Sequence, residues 1–392
     1  QLRQQINIAI IGTVSAGKST LTNALFDEQF SDMRIKRTTT LPQVYYEVES
    51  KNDMSNLKEI RESNRVKNKE IMDKTANGHQ LKIEDIKEVE YYVPKLYNML
   101  DSVRKEDVYY TIYDMPGLND SMTKSVYYQY INDNFHKFDI ILFVIDISSA
   151  LNTSDEIDIL KMTLNNMKAN KEKYDIDSKL VIIINKCDEM EISEKIPQPN
   201  DVELLEMVVQ VKSIVDTQKN EIYKNAITDI ICLSAEDAYI YRMFNRNPKS
   251  ELDEKYINKL GSNEFGKRTW NRKTMKHKKD AIVELFKSFD YKQAIELTGF
   301  KHLNDTLSKY LSDEDQYKYL CNHIKFSLSD IKIPKSYNIS DELNKLYIIM
   351  VNYGCIHYIF NIEVPEHNVF KEKLESIIEE YKLNQSAYMS NN

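Results

Sequence analysis

Short apolar runs rich in Ile and Val alternate along this chain with longer stretches of helical periodicity. That alternation predicts strands joined by helices. Ile6-Asn7-Ile8-Ala9-Ile10-Ile11 reads as a short buried strand, and Thr20-Leu21-Thr22-Asn23-Ala24-Leu25-Phe26 after it as a helix. Val44 to Val48 and Asp107 to Tyr113 read as further strands. Phe138 to Asp146 is the most apolar run and lacks a polar face, as a strand covered on both sides by helices requires. Thr153 to Lys171 predicts a helix, Lys179 to Ile184 another buried strand, and Asp229 to Leu233 the last one. The expected fold class is α/β, with a mostly parallel central sheet flanked by helices.

Two stretches interrupt this rhythm. Residues 50–106 are rich in Lys, Glu and Asn, with Leu57, Ile60 and Ile71 near helical spacing, and predict helices plus a short extended piece near Val89–Val93. Residues 240–290 form a second insertion. Leu303, Leu307 and Leu311, four residues apart, then mark an amphipathic helix suited to closing the sheet. The expected organisation is one domain over residues 1–312 with insertions at about 50–106 and 240–290, followed by a helical segment over 313–392 broken near Pro334 and Pro365. The longest uncharged run, Leu346 to Ile362, is shorter than a usual membrane span and contains Asn352, Gly354 and His357, so it reads as a buried helix.

Composition narrows the classes. With 392 residues the chain has room for a large core, and 42% hydrophobic with 29% charged residues fits a soluble globular protein. A net charge of −8 argues against wholesale nucleic-acid binding. One local exception is Lys267 to Lys279, with seven Lys/Arg, one His, no acidic residue and Trp270. It reads either as a site for lipid or nucleic-acid phosphates or as a solvated face. Cys187, Cys232, Cys321 and Cys355 are widely separated, as buried free thiols in a reducing compartment would be. With no leader pattern, the expected location is cytoplasmic, peripheral to a membrane at most.

The chemistry is concentrated at the ends of the apolar runs. Gly12-Thr13-Val14-Ser15-Ala16-Gly17-Lys18-Ser19 fits the pattern G-x-x-x-x-G-K-[ST] between a strand and a helix. Its backbone N–H groups can surround phosphate oxygens at a helix N-terminus. Lys18 offers a charge to the β- and γ-phosphates, and the Ser19 hydroxyl can ligate Mg²⁺. Arg37-Thr38-Thr39-Thr40-Leu41-Pro42 carries a threonine able to hold Mg²⁺ and meet the γ-phosphate. Asp114-Met115-Pro116-Gly117 ends a strand, so Asp114 can hold Mg²⁺ through water and the Gly117 N–H can sense the γ-phosphate. Asn185-Lys186-Cys187-Asp188 ends another. A carboxylate at Asp188 accepts from guanine N1–H and the 2-amino group, whereas adenine leaves it unpaired. Lys186 can lie along the base plane and Asn185 can brace the phosphate loop. After the last strand, the Ala235 N–H in Ser234-Ala235 could reach guanine O6.

Any one of these segments could arise by chance; in this order they indicate a P-loop GTPase domain binding GTP or GDP with Mg²⁺. The sequence resembles the dynamin superfamily of large GTPases over roughly residues 1–312. The likeness rests on Ser15-Ala16-Gly17-Lys18-Ser19-Thr20, on Thr39 placed three before Pro42, on Asp114-Met115-Pro116-Gly117-Leu118-Asn119-Asp120, and on the wide gap between Thr39 and Asp114. It implies that Thr39 is the switch threonine holding Mg²⁺ and positioning water, and that Ser15 is the family's loop serine, making Lys18, Thr39 and Ser15 the catalytic set. Thr20 joins the phosphate-binding set. Val14 stands where dynamins proper carry Gln. Residues 313–392 are too few for a dynamin stalk. The resemblance implies a homodimer across the nucleotide face and action on membranes. The alternative is a GTP-dependent switch or scaffold that binds a protein partner.

Overall fold

The computed structural model describes residues 4–26, 40–49, 57–76, 81–95, 108–119, 123–194, 196–246, 254–288 and 290–329, with isolated positions between 100 and 105 and between 345 and 379. Switch residues 37–39 and Cys355 lie outside the described residues, as does most of Leu346 to Ile362.

The first half runs β1 (Gln4–Gly12), α1 (Lys18–Phe26), β2 (Gln43–Val48), α2 (Leu57–Ala76), β3 (Val89–Pro94), β4 (Val108–Asp114), α3 (Lys124–Asn134), β5 (Ile140–Asp146) and α4 (Ser154–Tyr174). There follow β6 (Lys179–Asn185), β7 (Met190–Ser193), β8 (Ile196–Pro199), α5 (Val202–Ile222), β9 (Ile227–Leu233), α6 (Ala235–Arg246) and α7 (Glu254–Phe265). The chain continues through α8 (Lys267–Trp270), α9 (Met275–Ser288), α10 (Tyr291–Leu297), α11 (Phe300–Tyr310) and α12 (Asp313–Ser329).

Seven strands form one sheet in the order β3-β2-β4-β1-β5-β6-β9. From β4 to β9 all neighbours are parallel, so the C-terminal ends of β1, β4, β5, β6 and β9 share one edge. The apolar runs explain the core position of these strands. Ile6, Ile8, Ile10 and Ile11 of β1, and Ile140 to Ile145 of β5, are all buried, which demands cover on both faces. β2 runs antiparallel to β4, pairing Gln43 with Asp114. Its reversed direction brings Thr40 to Pro42, at its entrance, to the same edge as the parallel strand ends. The extended piece expected near Val89–Val93 is β3, which pairs in parallel with β2.

Local signals set the helix ends. Thr153 caps α4 by accepting from the Glu156 N–H, while Glu156 reaches back to the Thr153 hydroxyl. Asp201 caps α5 by accepting from the Leu204 N–H. At the C-terminus of α1, the buried Arg242 of α6 donates from Nε to the Ala24 carbonyl at 2.8 Å and from Nη2 to the Leu25 carbonyl at 3.3 Å.

The basic stretch from Lys267 to Lys279 divides in two. Trp270 is fully buried, stacked on Phe265 at 5.3 Å and lying against Gly261, where a Cβ would overlap the indole. Lys267, Arg268, Arg272, Lys276 and Lys279 face solvent. Past residue 312, α12 packs on β1 and α4, where Phe326 meets Tyr174 edge-on at 5.1 Å; it also reaches the segment before β5, where His323 meets the buried Asp139 and Phe326 stacks on His136. Cys187, Cys232 and Cys321 are buried free thiols. No helix among the described residues is long and apolar enough to cross a membrane.

Candidate functional site

The segments singled out in the sequence, residues 37–39 aside, converge on the C-terminal edge of the sheet. The turn from Thr13 to Gly17 leads from β1 into α1. Gly12 and Gly17 hold positive φ of 151° and 100°, and Ser15 sits in the left-handed region at 65°. A Cβ on Gly12 would overlap the Val144 carbonyl of β5, and one on Gly17 would overlap the Asn185 amide. The buried Lys18 donates from Nζ to the Thr13 carbonyl at 2.7 Å and the Gly12 carbonyl at 3.2 Å, folding back along its own loop. Ser15 is exposed at the rim, Ala16 is buried, and Thr20 lies half-buried in the first turn of α1.

Asp114 ends β4 directly beneath this turn. Ser19 Oγ donates to Asp114 Oδ2 at 3.0 Å. The carboxylate is fully buried, and its other oxygen, Oδ1, has no partner among the described residues. Burial, the largest influence, pushes the Asp114 carboxyl up to about 6 against the opposing pull of Lys18 and Ser19. A hydroxyl and a half-satisfied buried carboxylate side by side form an oxygen pair suited to a small hard divalent cation. These donors therefore fit Mg²⁺.

The loop after Asp114 touches the phosphate loop directly. Gly117 is buried against Val14; a Cβ there would overlap Val14 Cγ2 and come within 2.8 Å of the Val14 backbone N. Asn119 Oδ1 accepts from the Val14 N–H at 2.7 Å, and the Leu118 N–H donates to the Gly12 carbonyl. Met115 to Asn119 and the phosphate loop are thus one packed unit. Thr40, next to the expected switch threonine, is buried and bonded to Asn68 of α2 by both its N–H and its hydroxyl.

Asn185, at the end of β6, holds three segments together. Its Nδ2 donates to the Ala16 carbonyl at 2.8 Å, and its Oδ1 accepts from the Ala235 N–H at 3.0 Å. The bracing expected of Asn185 is present. The Ala235 N–H, read from the sequence as a donor to guanine O6, is committed instead to Asn185. Lys186 takes a left-handed φ of 68° and its ammonium pairs with Asp146 at the end of β5. Burial pushes the Asp146 carboxyl up, but Lys186 and Ser148 outweigh it and hold it below its ordinary range. Asp188 stands more than half exposed, with Oδ1 at 3.1 Å from the Ser234 hydroxyl. That hydroxyl also lies 2.8 Å from Asp237 Oδ2.

The structure adds residues that sequence reasoning passed over. Asp146 partners Lys186, Arg242 ties α1 to α6, and Lys259 of α7 reaches the Asp188 cluster. Asp146 ends a recognised strand and could have been found by that position; Lys259 and Arg242 sit on helices with no motif around them.

Residues 8–187 match the family model described as the dynamin family. An uncharacterised protein of Acanthamoeba polyphaga mimivirus is 31% identical over 197 residues, which is 48% of this chain and 30% of that protein. The chain therefore spans well under two thirds of that relative. Among solved structures, a chain of an oligomerised bacterial dynamin pair, described as sensing and tethering membranes, aligns with 97% of this chain and 57% of its own length, at 19% identity and a TM-score of 0.37. Aquifex aeolicus Era bound to GDP·AlF4− aligns over 59% of this chain and 52% of its own, at 15% identity and a TM-score of 0.30.

Proposed function

We propose that this chain, whose residues 8–187 match the dynamin-family model, is a dynamin-family GTPase that binds guanine nucleotide with Mg²⁺ and hydrolyses GTP. The observation that carries the reading is the Asn185 side chain, bonded at once to the Ala16 carbonyl and the Ala235 N–H. It joins a loop built for phosphates to a loop carrying a carboxylate suited to guanine, so candidate receptors for both ends of one nucleotide stand on neighbouring loops.

The roles follow from the chemistry of each group. The backbone N–H groups from Ser15 to Thr20 receive phosphate oxygens at the α1 N-terminus. Lys18 leaves the Thr13 and Gly12 carbonyls to meet the β- and γ-phosphates, a short swing within the same loop. Ser19 and Asp114 are the Mg²⁺ side of the site, and the family resemblance assigns Thr39, outside the described residues, to the same ion. When bound, Mg²⁺ neutralises charge developing on the phosphoryl oxygens. Gly117 offers its N–H to the γ-phosphate, and Thr39 orients the attacking water. Asp188 accepts from guanine N1–H and the 2-amino group, and Lys186, steadied by Asp146, lies along the base. Dimerisation across the nucleotide face and action on membranes extend the reading and draw support from the family domain.

Phosphate release from GTP and ATP, with and without Mg²⁺, tests it. GTP should turn over only with Mg²⁺, ATP should not, and Lys18→Ala should abolish turnover while the protein still folds, at a melting temperature lowered by the loss of the bonds to the Thr13 and Gly12 carbonyls. Equal turnover of ATP, or an unaffected Lys18 variant, would overturn the reading. Sedimentation with GDP and with GDP–aluminium fluoride tests dimerisation; a monomer in both states would overturn that part.

A further inference from the structure

The second insertion reaches into the guanine end of the site through one side chain. Lys259 of α7 places its ammonium 2.9 Å from Glu236 Oε2, 3.0 Å from Asp237 Oδ1 and 3.6 Å from Asp188 Oδ1. Glu236 and Asp237 belong to the first turn of α6, directly after Ser234-Ala235, so the lysine spans α6 and the Asn185–Asp188 loop. Its side chain is only 21% exposed, and the surrounding carboxylates hold it charged although burial opposes this. Lys255 shares Glu236 from the outside.

We propose that Lys259 is a specificity-determining positioning residue, which fixes the Asp188 carboxylate for reading the guanine edge. The inference rests on the assignment of Asp188 to the base. Both Ser234 and Lys259 approach Asp188 at Oδ1 alone. The carboxylate is therefore tethered at one oxygen, by the hydroxyl and by a longer ion pair, which narrows the side-chain torsions open to it. A bidentate acceptor gains from that restriction, because its two hydrogen bonds must run parallel. An exposed aspartate held only by its own backbone would rotate freely about its side-chain torsions and lose that order on binding.

The position of Lys259 is itself braced. Its neighbour Asn258 accepts at Oδ1 from Trp270 Nε1 at 3.1 Å and from Lys278 Nζ at 2.7 Å. Trp270 fills the space over Gly261, one turn further along α7. The insertion is thus a buttress: α8 and α9 fix α7, and α7 delivers one cation to the base loop.

The test compares GTP with ITP, which lacks the 2-amino group and so one of the two bonds to Asp188. Affinities of GTP, ITP and ATP are measured by competition against a fluorescent GDP, for the wild type, Lys259→Met, Lys259→Gln and Lys259→Arg. The expected result is a GTP/ITP ratio that falls roughly three- to fivefold in the Met and Gln variants, the scale of one partly exposed ion pair, with partial recovery in Arg. ITP affinity should change little. Equal loss for GTP and ITP, or an unchanged ratio, would overturn the role of Lys259. A wild type that does not distinguish GTP from ITP and ATP would instead overturn the assignment of Asp188 on which the proposal stands. Thermal melts keep folding separate; if Met melts early, the Gln variant carries the comparison.

Discussion

The Asn185 amide donates to the Ala16 carbonyl at 2.8 Å, across 169 residues of chain, and Ala16 is almost wholly buried. Removing the amide leaves the Ala16 carbonyl and the Ala235 N–H unpaired in the interior. Each such orphan costs about 1–3 kcal/mol. Asn185→Ala should therefore lower stability by roughly 2–4 kcal/mol and weaken nucleotide binding together. Asn185→Asp, which keeps an acceptor for Ala235 but turns a carboxylate toward the Ala16 carbonyl, should be no better. Denaturant melts and nucleotide titration measure both effects. A variant of wild-type stability and affinity would mean the bridge is incidental.

Gly117 tests whether the loop after Asp114 and the phosphate loop move as one. Any side chain there meets Val14, with the Val14 backbone N at 2.8 Å from the new Cβ. Gly117→Ala should cost about 1–3 kcal/mol through overpacking and reduce GTP affinity by on the order of tenfold, as the Val14 to Ser15 backbone is displaced. Adding Val14→Ala removes Cγ2 but not the backbone contact, so the double variant should recover little. Full recovery would show that the close approach is only between side chains.

The parts of this site that are legible in the sequence share one property: each lies in the few residues after an apolar run. Ser19, Asp114, Asn185 and Asp188 are found by that rule although 95 residues separate the first two. Lys259 and Arg242 escape it because a Lys or Arg on a helix reads as solvent-facing; only tertiary packing reveals the Asp188 cluster and the α1 carbonyls they meet. The reversed direction of β2 is also hidden, since a buried strand has the same pattern read either way. The β7–β8 hairpin is hidden for another reason. Its strands are four residues long and carry Pro197 and Pro199, too short and too interrupted for a period to show. Trp270 left two readings open in the sequence. The close packing of its indole on Gly261 decides for burial in its case, whereas the exposed cations around it stay outside the core.

His323 makes the docking of α12 depend on pH. Its Nε2 lies 3.0 Å from Asp139 Oδ1, and the other oxygen of Asp139 accepts from the Asn7 N–H at 2.8 Å. Burial alone would lower the imidazole, but Asp139 prevails and raises it above its ordinary 6.5. A folded value above the unfolded one means the folded state holds the extra proton. That stabilisation is full below about 6.5 and is lost as pH rises through the folded value. The wild type should melt at a higher temperature at pH 6 than at pH 8.5. His323→Gln, which keeps a donor but no titrating charge, should flatten this difference and fall furthest below wild type at pH 6. Parallel profiles for the two proteins would remove His323 as the source.

Arg242 holds the far end of the helix that carries Lys18 and Ser19. Its guanidinium caps the C-terminus of α1 through the Ala24 and Leu25 carbonyls and lies 4.5 Å over the Phe300 ring. Three effects act in the same direction: hydrogen bonds to otherwise open carbonyls, a cation at the negative end of a helix, and a cation on an aromatic face. Arg242→Ala should cost on the order of 3 kcal/mol, because it also leaves a hole in a buried layer. Arg242→Lys should recover less than half, since an ammonium cannot reach two carbonyls in a plane while stacking on Phe300. The consequence for the site is specific. α1 presents its N-terminus to the phosphates, so loosening its C-terminus should weaken GTP and GDP alike and leave the GTP/ITP ratio unchanged. Melting curves and competition binding measure both. A change in base preference with phosphate affinity intact would mean that Arg242 acts through the α6 end of the site, beside Ser234 and Asp237, and not through α1.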